Sequence, residues 1–537
     1  MLRFFLTVAL AAPLILISAA AQVVPGSIID RSRSDRAGTH PGRAPKLAAP
    51  APQNKLAQVQ PFQLVGVKIQ GTSLEPAALE TATKPFVGKT VDGAAIGAIA
   101  KAVADAYAGH GDIALYTVSV PDQDFVGGVL LLTVTEGYIE HVDVHGDVDG
   151  DVSRIVAMAD KLTHERPLKR STLQRYLSLI RDLPGLTLDA QLLAGDAAGA
   201  VKLSLGIKRK DHTLSIGVAD NGNPLLGRYQ AVADLDLFDL LREGEDTQLS
   251  IGTSTKFSSY QYYGFSHSEL LDDEGTRGTL SYGYLHTKFG SLSVSGTAQT
   301  LQLAVAHPLI RSFDENLTLA TSLDGIDSTN ALLGLLISNE HTRAARLSAG
   351  YSLTDPEWSL TLNANAGFGL DVLAANSGTG DTDFKKLILQ GQYNHLVGEK
   401  WVVRLKAVTQ FAFDRLPVSE LYTLGGPDYG RAFLTASLFG DTAAAGSLEV
   451  GYDPKGLPDP LTGLEIFSFV DGGSTWYYRR PLTAPLDTNL ASTGVGIRIP
   501  IGAKTHLELT AANAFAGQAP GTRAGSWRFL FGITGTY

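Results

Sequence analysis

The 537-residue sequence contains no cysteine and two methionines, and only 18% of its residues are charged. The absence of cysteine excludes disulfide stapling and thiol chemistry. Low charge combined with 57 glycines suits a chain of many extended segments better than a helical cytosolic enzyme. A net charge of −10 without a basic stripe argues against a nucleic-acid partner, because such proteins present Lys and Arg to phosphate. The twelve histidines lack H-E-x-x-H or paired ligand spacing, so neither a metal nor any other cofactor is expected. No nucleotide motif and no nucleophile–base set is present, which speaks against an enzyme. Beyond Ala21 no apolar run reaches about 18 residues, so no later membrane-spanning helix is expected.

What is present begins with MLRFFLTVALAAPLILISAAAQ. Arg3 precedes an apolar run that ends in small residues, the pattern of a secretory signal (residues 1–21). A single membrane helix is the competing reading, against which stand the short run, Pro13 and the small residues that follow it. Residues 22–60 are rich in Pro, Ala, Ser and Arg and read as a linker, with a short amphipathic helix over roughly 28–36.

Order begins near Phe62. FQLVGVKIQG reads as one strand with a bulge at Gly66. In GAAIGAIAKAVADAYAGHG, Ile96, Ile99, Val103 and Tyr107 recur at helical spacing, and Gly109 and Gly111 supply the stop. The strands ALYTVSV and GVLLLTVTEG follow. The same order then repeats: YIEHVDVHG, a helix with Leu173, Tyr176, Leu177 and Ile180 on one face, then LTLDAQLLA and AVKLSLGI. Two small α+β modules are expected, over residues 61–137 and 138–210. Between them, DVDGD (Asp147–Asp151) has its glycine at position four rather than six, so it reads as a turn and not a calcium loop.

From residue 211 to 537 helical spacing vanishes, and alternating segments recur between turns rich in Gly, Asp, Asn and Ser. In the last segment, WRFLFGITGTY, Trp527, Phe529, Phe531, Ile533 and Tyr537 share one face and small or polar residues the other. A soluble sandwich has the same period. Strand-capping aromatics, glycine-rich small faces and sheer length favour a transmembrane β-barrel, with about sixteen antiparallel strands at roughly 20 residues per strand and connection. A sheet in lipid must close, because each unpaired edge amide there costs several kcal/mol.

Four segments carry a family resemblance that covers residues 62–537. VPDQDFVGGVLLLTVTEGYIEHVDVHG, with Pro121, Gln123, Glu136 and Gly137, resembles the junction between the two POTRA domains of two-partner secretion transporters, the haemolysin/haemagglutinin secretion–activation family. AHPLIRS (residues 306–312) resembles an early barrel strand of that family. GGPDYGRAF (residues 425–433) resembles its loop-six motif, and FVDGG (residues 469–473) its F-x-D-x-G strand motif. The resemblance implies two periplasmic POTRA domains and an outer-membrane barrel, inserted by the barrel-assembly machinery. It also implies a β-helical haemolysin- or adhesin-like exoprotein as cargo, exported without ATP. The N-terminal helix would plug the pore.

Loop six would fold back into the lumen, where Arg431 meets Asp471 on the wall. Gly425, Gly426 and Gly430 would let the tip turn, with Phe433, Phe469 and Gly473 completing the motifs. A guanidinium in a confined pore needs a carboxylate or several acceptors, and a bidentate contact would fix its direction. The alternative is an exposed turn with a solvated arginine. Gly430 and Ala432 flank the arginine where the family more often has a hydrophobe before it and a glycine after. No G-x-S-x-G is present, which removes the lipase domain that some relatives carry. The remaining functional alternative is an outer-membrane insertase.

Overall fold

The computed structural model describes residues 46–47 and 59–537, apart from 149, 221, 223–226, 290–293, 333–334, 481–484, 518 and 520. The signal, most of the linker and the plug helix lie outside the described residues. The chain divides into two compact units, one of POTRA-like modules and one barrel.

In the smaller unit, β1 (Lys46–Leu47) precedes the first module, which runs β2 (Phe62–Gln63), β3 (Gly66–Gln70), α1 (Pro76–Thr83), β4 (Thr90–Val91), α2 (Gly93–His110), β5 (Tyr116–Ser119) and β6 (Val129–Glu136). β3 pairs in parallel with β6, and β5 pairs antiparallel to it. The segment expected as one bulged strand is two: β2 leaves the main sheet to pair with β4. The chain between them turns inward, where Leu64 is fully buried and its amide bonds the Lys89 carbonyl. Asp92 caps α2 through the Ala95 amide at 2.9 Å, and Ile96, Ile99, Val103 and Tyr107 reach zero exposure against Leu130 and Leu132. Each such burial contributes about 1.5–3 kcal/mol.

The second module repeats the plan with β7 (Tyr138–Gly146), α3 (Ser153–Asp160), α4 (Arg170–Arg181), β8 (Leu186–Ala194) and β9 (Ala200–Arg209). β7 lies parallel and β8 antiparallel to β9, and β1 adds in parallel to the free side of β8. Asp147 and Asp151 serve the turn between β7 and α3, accepting from the Arg209 and Ser153 amides at 2.9 Å.

Of the residues of the junction motif, Gln123 and Glu136 brace the first module, and Gly137 joins it to the second. The Gln123 amide copies a strand, donating to the Leu131 carbonyl at 2.8 Å and accepting from its amide at 2.7 Å, with a further bond to the Pro121 carbonyl. The Glu136 carboxylate accepts from the Ser73 amide (2.7 Å) and the Tyr107 hydroxyl (2.7 Å). Burial pushes the Tyr107 hydroxyl up to about 12, so it stays a donor throughout the physiological range. Gly137 donates to the Leu115 carbonyl and accepts from the Leu168 amide. A Cβ at Gly137 would stand 2.7 Å from the Leu115 Cβ. Gly137→Ala is therefore expected to cost about 1–3 kcal/mol by overpacking. It should raise proteolytic nicking between the modules while leaving barrel heat-modifiability unchanged.

The larger unit is a closed barrel of sixteen antiparallel strands, as the alternating pattern and its length led us to expect. They are β10 (His212–Ala219), β11 (Gln230–Phe238), β12 (Asp246–Ser254), β13 (Tyr260–Leu270), β14 (Arg277–Phe289), β15 (Val294–Arg311), β16 (Glu315–Leu332) and β17 (Leu335–Thr354). They continue with β18 (Trp358–Gly369), β19 (Lys385–Val397), β20 (Trp401–Ala412), β23 (Thr442–Tyr452), β24 (Glu465–Tyr477), β25 (Leu486–Ile501), β26 (Thr505–Gly517) and β27 (Trp527–Thr536). A hairpin of β21 (Tyr422–Leu424) and β22 (Leu438–Gly440) stands outside the wall order. AHPLIRS falls at the end of β15, the sixth strand.

Parity sorts the side chains. On β24, Phe467, Phe469, Asp471 and Thr475 face inward and are buried, while Ile466, Val470 and Trp476 are exposed outward. On β27 the large exposed side chains are Trp527, Phe529 and Ile533, with Tyr537 just beyond the strand. Leu249, Ile251, Leu301, Leu303, Leu347 and Leu362 continue this outward apolar belt around the wall.

Candidate functional site

The connection between β20 and β23, the sixth at the barrel end opposite the start of β10 and the end of β27, folds back against the inward faces of the wall. Its tip turns at Gly425, Gly426 and Gly430, whose φ values of 102°, 97° and 87° suit glycine. Gly425 and Gly426 amides bond the Tyr429 and Gly430 carbonyls across the turn. A Cβ at Gly430 would also meet Leu490 Cδ1 at 2.3 Å, so the tip lies against β25 with no room for a side chain. Phe433 is fully buried among Leu424, Leu438, Phe467, Phe469 and Leu490, an apolar seat for the tip.

Arg431 sits on that seat with its side chain 10% exposed. Its Nη1 donates to Glu449 Oε2 at 2.9 Å, and its Nε lies 3.4 Å from Asp471 Oδ2 and donates to the Pro427 carbonyl. The guanidinium covers the Phe469 ring at 4.0 Å. Asp471 is thus near Arg431 but does not form the expected bidentate pair. Its Oδ1 instead accepts from the loop backbone, the Gly430 amide at 2.9 Å and the Arg431 amide at 3.3 Å, and from the Ser492 hydroxyl. The aspartate grips the peptide of the tip, and Glu449 takes the charge. The reason is register: β23 and β24 pair Ser447 with Asp471 and Glu449 with Phe469, which puts Glu449 beside the ring that carries the guanidinium. Gly473 shares the inward face, where a Cβ would meet Ala445 Cβ at 2.6 Å and Leu424 Cδ1 at 2.9 Å.

Glu449 belongs to a larger set. Arg498 reaches it at 2.7 Å and Glu465 at 2.6 Å, Arg404 reaches Glu465 at 2.6 Å, and Arg498 also reaches Glu508 at 2.8 Å. Two more charge clusters hold the loop higher up. Glu420, 1% exposed, takes Arg346 from β17 and Lys386 from β19, each at 2.7 Å, while Arg346 also pairs Asp324. Asp441 accepts from both Arg480 Nη groups and from the Leu416 and Tyr478 amides. None of these partners stands in a motif, so sequence reasoning missed them. The available signal was inward parity, as for Glu449 in SLEV and for Glu465, which shares the face of Phe469 and Asp471 on β24.

Burying charges this deeply is tolerated because each has a partner, and removing one partner leaves the others uncompensated. Glu449→Gln leaves Arg431 only the longer of its carboxylate contacts, to Asp471, and weakens the hold on Arg404 and Arg498. An expected cost of about 3–5 kcal/mol should appear as a lower temperature for the folded-to-unfolded mobility shift on electrophoresis.

A closed sixteen-strand barrel, two small α+β modules ahead of it and a lumenal loop tied through an arginine define the class of POTRA-plus-barrel outer-membrane proteins. The family of haemolysin secretion/activation proteins ShlB/FhaC/HecB matches residues 200–499, and the ShlB-type POTRA domain matches residues 62–137. The chain belongs to that family, whose members are transporters rather than enzymes, and its barrel is an outer-membrane barrel. The chain is similar to the heme/hemopexin transporter protein HuxB of Haemophilus influenzae, 23% identical over 69% of this chain and 66% of that protein. It thus spans just under two thirds of that relative's length. It is also 24% identical to the outer membrane transporter CdiB of Escherichia coli, over 80% of this chain and 76% of that one. Among solved structures, CdiB from Escherichia coli superposes with a TM-score of 0.72 at 20% identity, covering 97% of this chain and 98% of that one. BamA from Haemophilus ducreyi lacking POTRA domains 1–3 gives 0.52 at 14% identity over 89% of this chain and 100% of that one, a likeness of fold.

Proposed function

We propose that this protein is a translocation pore that exports an unfolded, β-rich exoprotein to the cell surface. The observation that carries the reading is a loop anchored by three charge clusters inside a barrel with small α+β modules ahead of it. Residues 61–137 and 138–210 act as POTRA domains in the periplasm, after a signal (1–21) and a linker (22–60), and residues 211–537 form the pore. Cargo adds as a strand to exposed POTRA sheet edges, where backbone hydrogen bonds supply affinity with little demand on sequence. Movement needs no ATP, because folding of the cargo outside makes retreat unfavourable.

Loop six is the gate. Arg431, gripped by Glu449 and laid over Phe469, and Asp471, gripping the Gly430 and Arg431 amides, form the resting latch, which opens as cargo enters. The exposed apolar belt meets lipid, and the aromatic face of β27 at Trp527, Phe529, Phe531 and Tyr537 serves as the signal read by the barrel-assembly machinery. An insertase is the alternative, since BamA shares the fold; the match to the haemolysin secretion/activation family favours export.

Arg431→Ala is the test. With the barrel at unchanged abundance, cargo release should fall about tenfold, within the 5–150-fold range typical of coupling between two conformational states. Undiminished release would remove the latch from the mechanism.

A further inference from the structure

We propose that Arg528 is a positioning residue that makes the resting place of loop six and the closure of the β10–β27 seam a single state. The seam joins the first and last barrel strands through five registered pairs, Ser215–Ala219 with Gly532–Thr536. That is the fewest of any barrel joint whose register is described; β27 makes nine with β26 on its other side. A joint this short depends on what reinforces its end.

The reinforcement is a cluster of charges at the end away from the start of β10 and the end of β27. Asp220, the first residue after β10, continues the ladder by donating its amide to the Phe531 carbonyl at 3.0 Å. Its carboxylate, 1% exposed, is clasped by Arg228, with Nε at 2.9 Å and Nη2 at 2.8 Å from Oδ2. Arg228 Nη2 also reaches across to the Phe529 carbonyl of β27 at 3.4 Å. In the other direction, Arg528 on β27 donates Nη2 to the Asp220 carbonyl at 2.9 Å. Its Nη1 donates to the carbonyl of Phe433, two residues past Arg431 at the tip of loop six.

One buried guanidinium, 11% exposed, therefore has one prong on the seam and the other on the gate. Arginine suits this because its donors lie in a rigid planar fork that stays charged, whereas lysine concentrates its donors at one point. If loop six leaves, Nη1 loses the Phe433 carbonyl that fixes one side of the fork, which is then free to turn and draw Nη2 from Asp220. If the seam loosens, the Phe433 carbonyl loses its donor by the same route. Coupling of this kind is reciprocal.

The test uses the full chain in lipid nanodiscs, with no cargo. Because the protein has no native cysteine, Ser437→Cys gives one reporter, at a loop-six position buried to 4% exposure, read by its labelling rate with a membrane-impermeant maleimide. Amide hydrogen exchange over residues 215–220 reads the seam. Arg431→Ala should raise both together. Arg528→Gln should do the same with the latch residues intact, by roughly 5–150-fold, and Arg528→Lys should fail to restore either. The discriminating variant is Arg228→Gln, whose hydrogen bonds run to Asp220 and Phe529: it should loosen the seam and also raise labelling of the Ser437→Cys reporter.

Labelling that rises in Arg431→Ala while seam exchange stays at the wild-type rate would overturn the proposal, as would an Arg228→Gln seam that loosens with the reporter still protected. Should Arg528→Gln not assemble, those two variants decide. The inference rests on the export reading for the purpose of the open state alone. A negative result here leaves that reading standing, and undiminished cargo release in Arg431→Ala leaves the coupling standing.

Discussion

A charge taken out of water must find its counter-charge, and loop six obeys this constraint three times over. Glu420, Arg431 and Asp441 each lie almost without exposure, and none is tolerable there alone. Their partners come from β17, β19, β23 and β24 and from Arg480 just beyond β24. An apolar plug of equal size would seat in several ways. Three spaced charge pairs and the Asp471 grip on two amides accept one.

The same constraint makes the arrangement reversible. Charge pairs in a lumen exchange their partners for water once water enters, so the cost of separation falls steeply as the pore wets, whereas an apolar seal grows no weaker. Carboxylate–guanidinium contacts would therefore suit the proposed gate, which has to hold firmly at rest and let go when an extended chain arrives. Phe433 and its apolar seat set the depth of the loop, and the charges set its direction.

How much of this was legible in the sequence depended on whether the signal was local. The inward parity of Phe469, Asp471 and Gly473 follows from the period of a strand, and the turn at Gly425, Gly426 and Gly430 from glycine chemistry. The repeated module could be read from helical spacing at Ile96–Tyr107 and Leu173–Ile180. What failed was non-local. Phe62–Ile69 alternates like one strand, yet Leu64 is drawn into a core assembled by residues far along the chain. The motifs place Arg431 beside Asp471, and the two stand 3.4 Å apart, but only the register of β23 against β24 reveals that Glu449 shares its guanidinium. Arg528, Asp220 and Arg228 come together only when the first and last strands close, an event without any local mark in the sequence.

The most direct measurement of the central claim is cargo release with loop six fastened to the wall. Thr342 on β17 and Ser419 in the loop have their hydroxyl oxygens 2.9 Å apart, close enough for cysteines at both positions to bridge after a small shift. In a chain without other cysteines, Thr342→Cys/Ser419→Cys should oxidise readily, block export of the exoprotein, and recover it on reduction. Full export through the oxidised barrel would contradict the account.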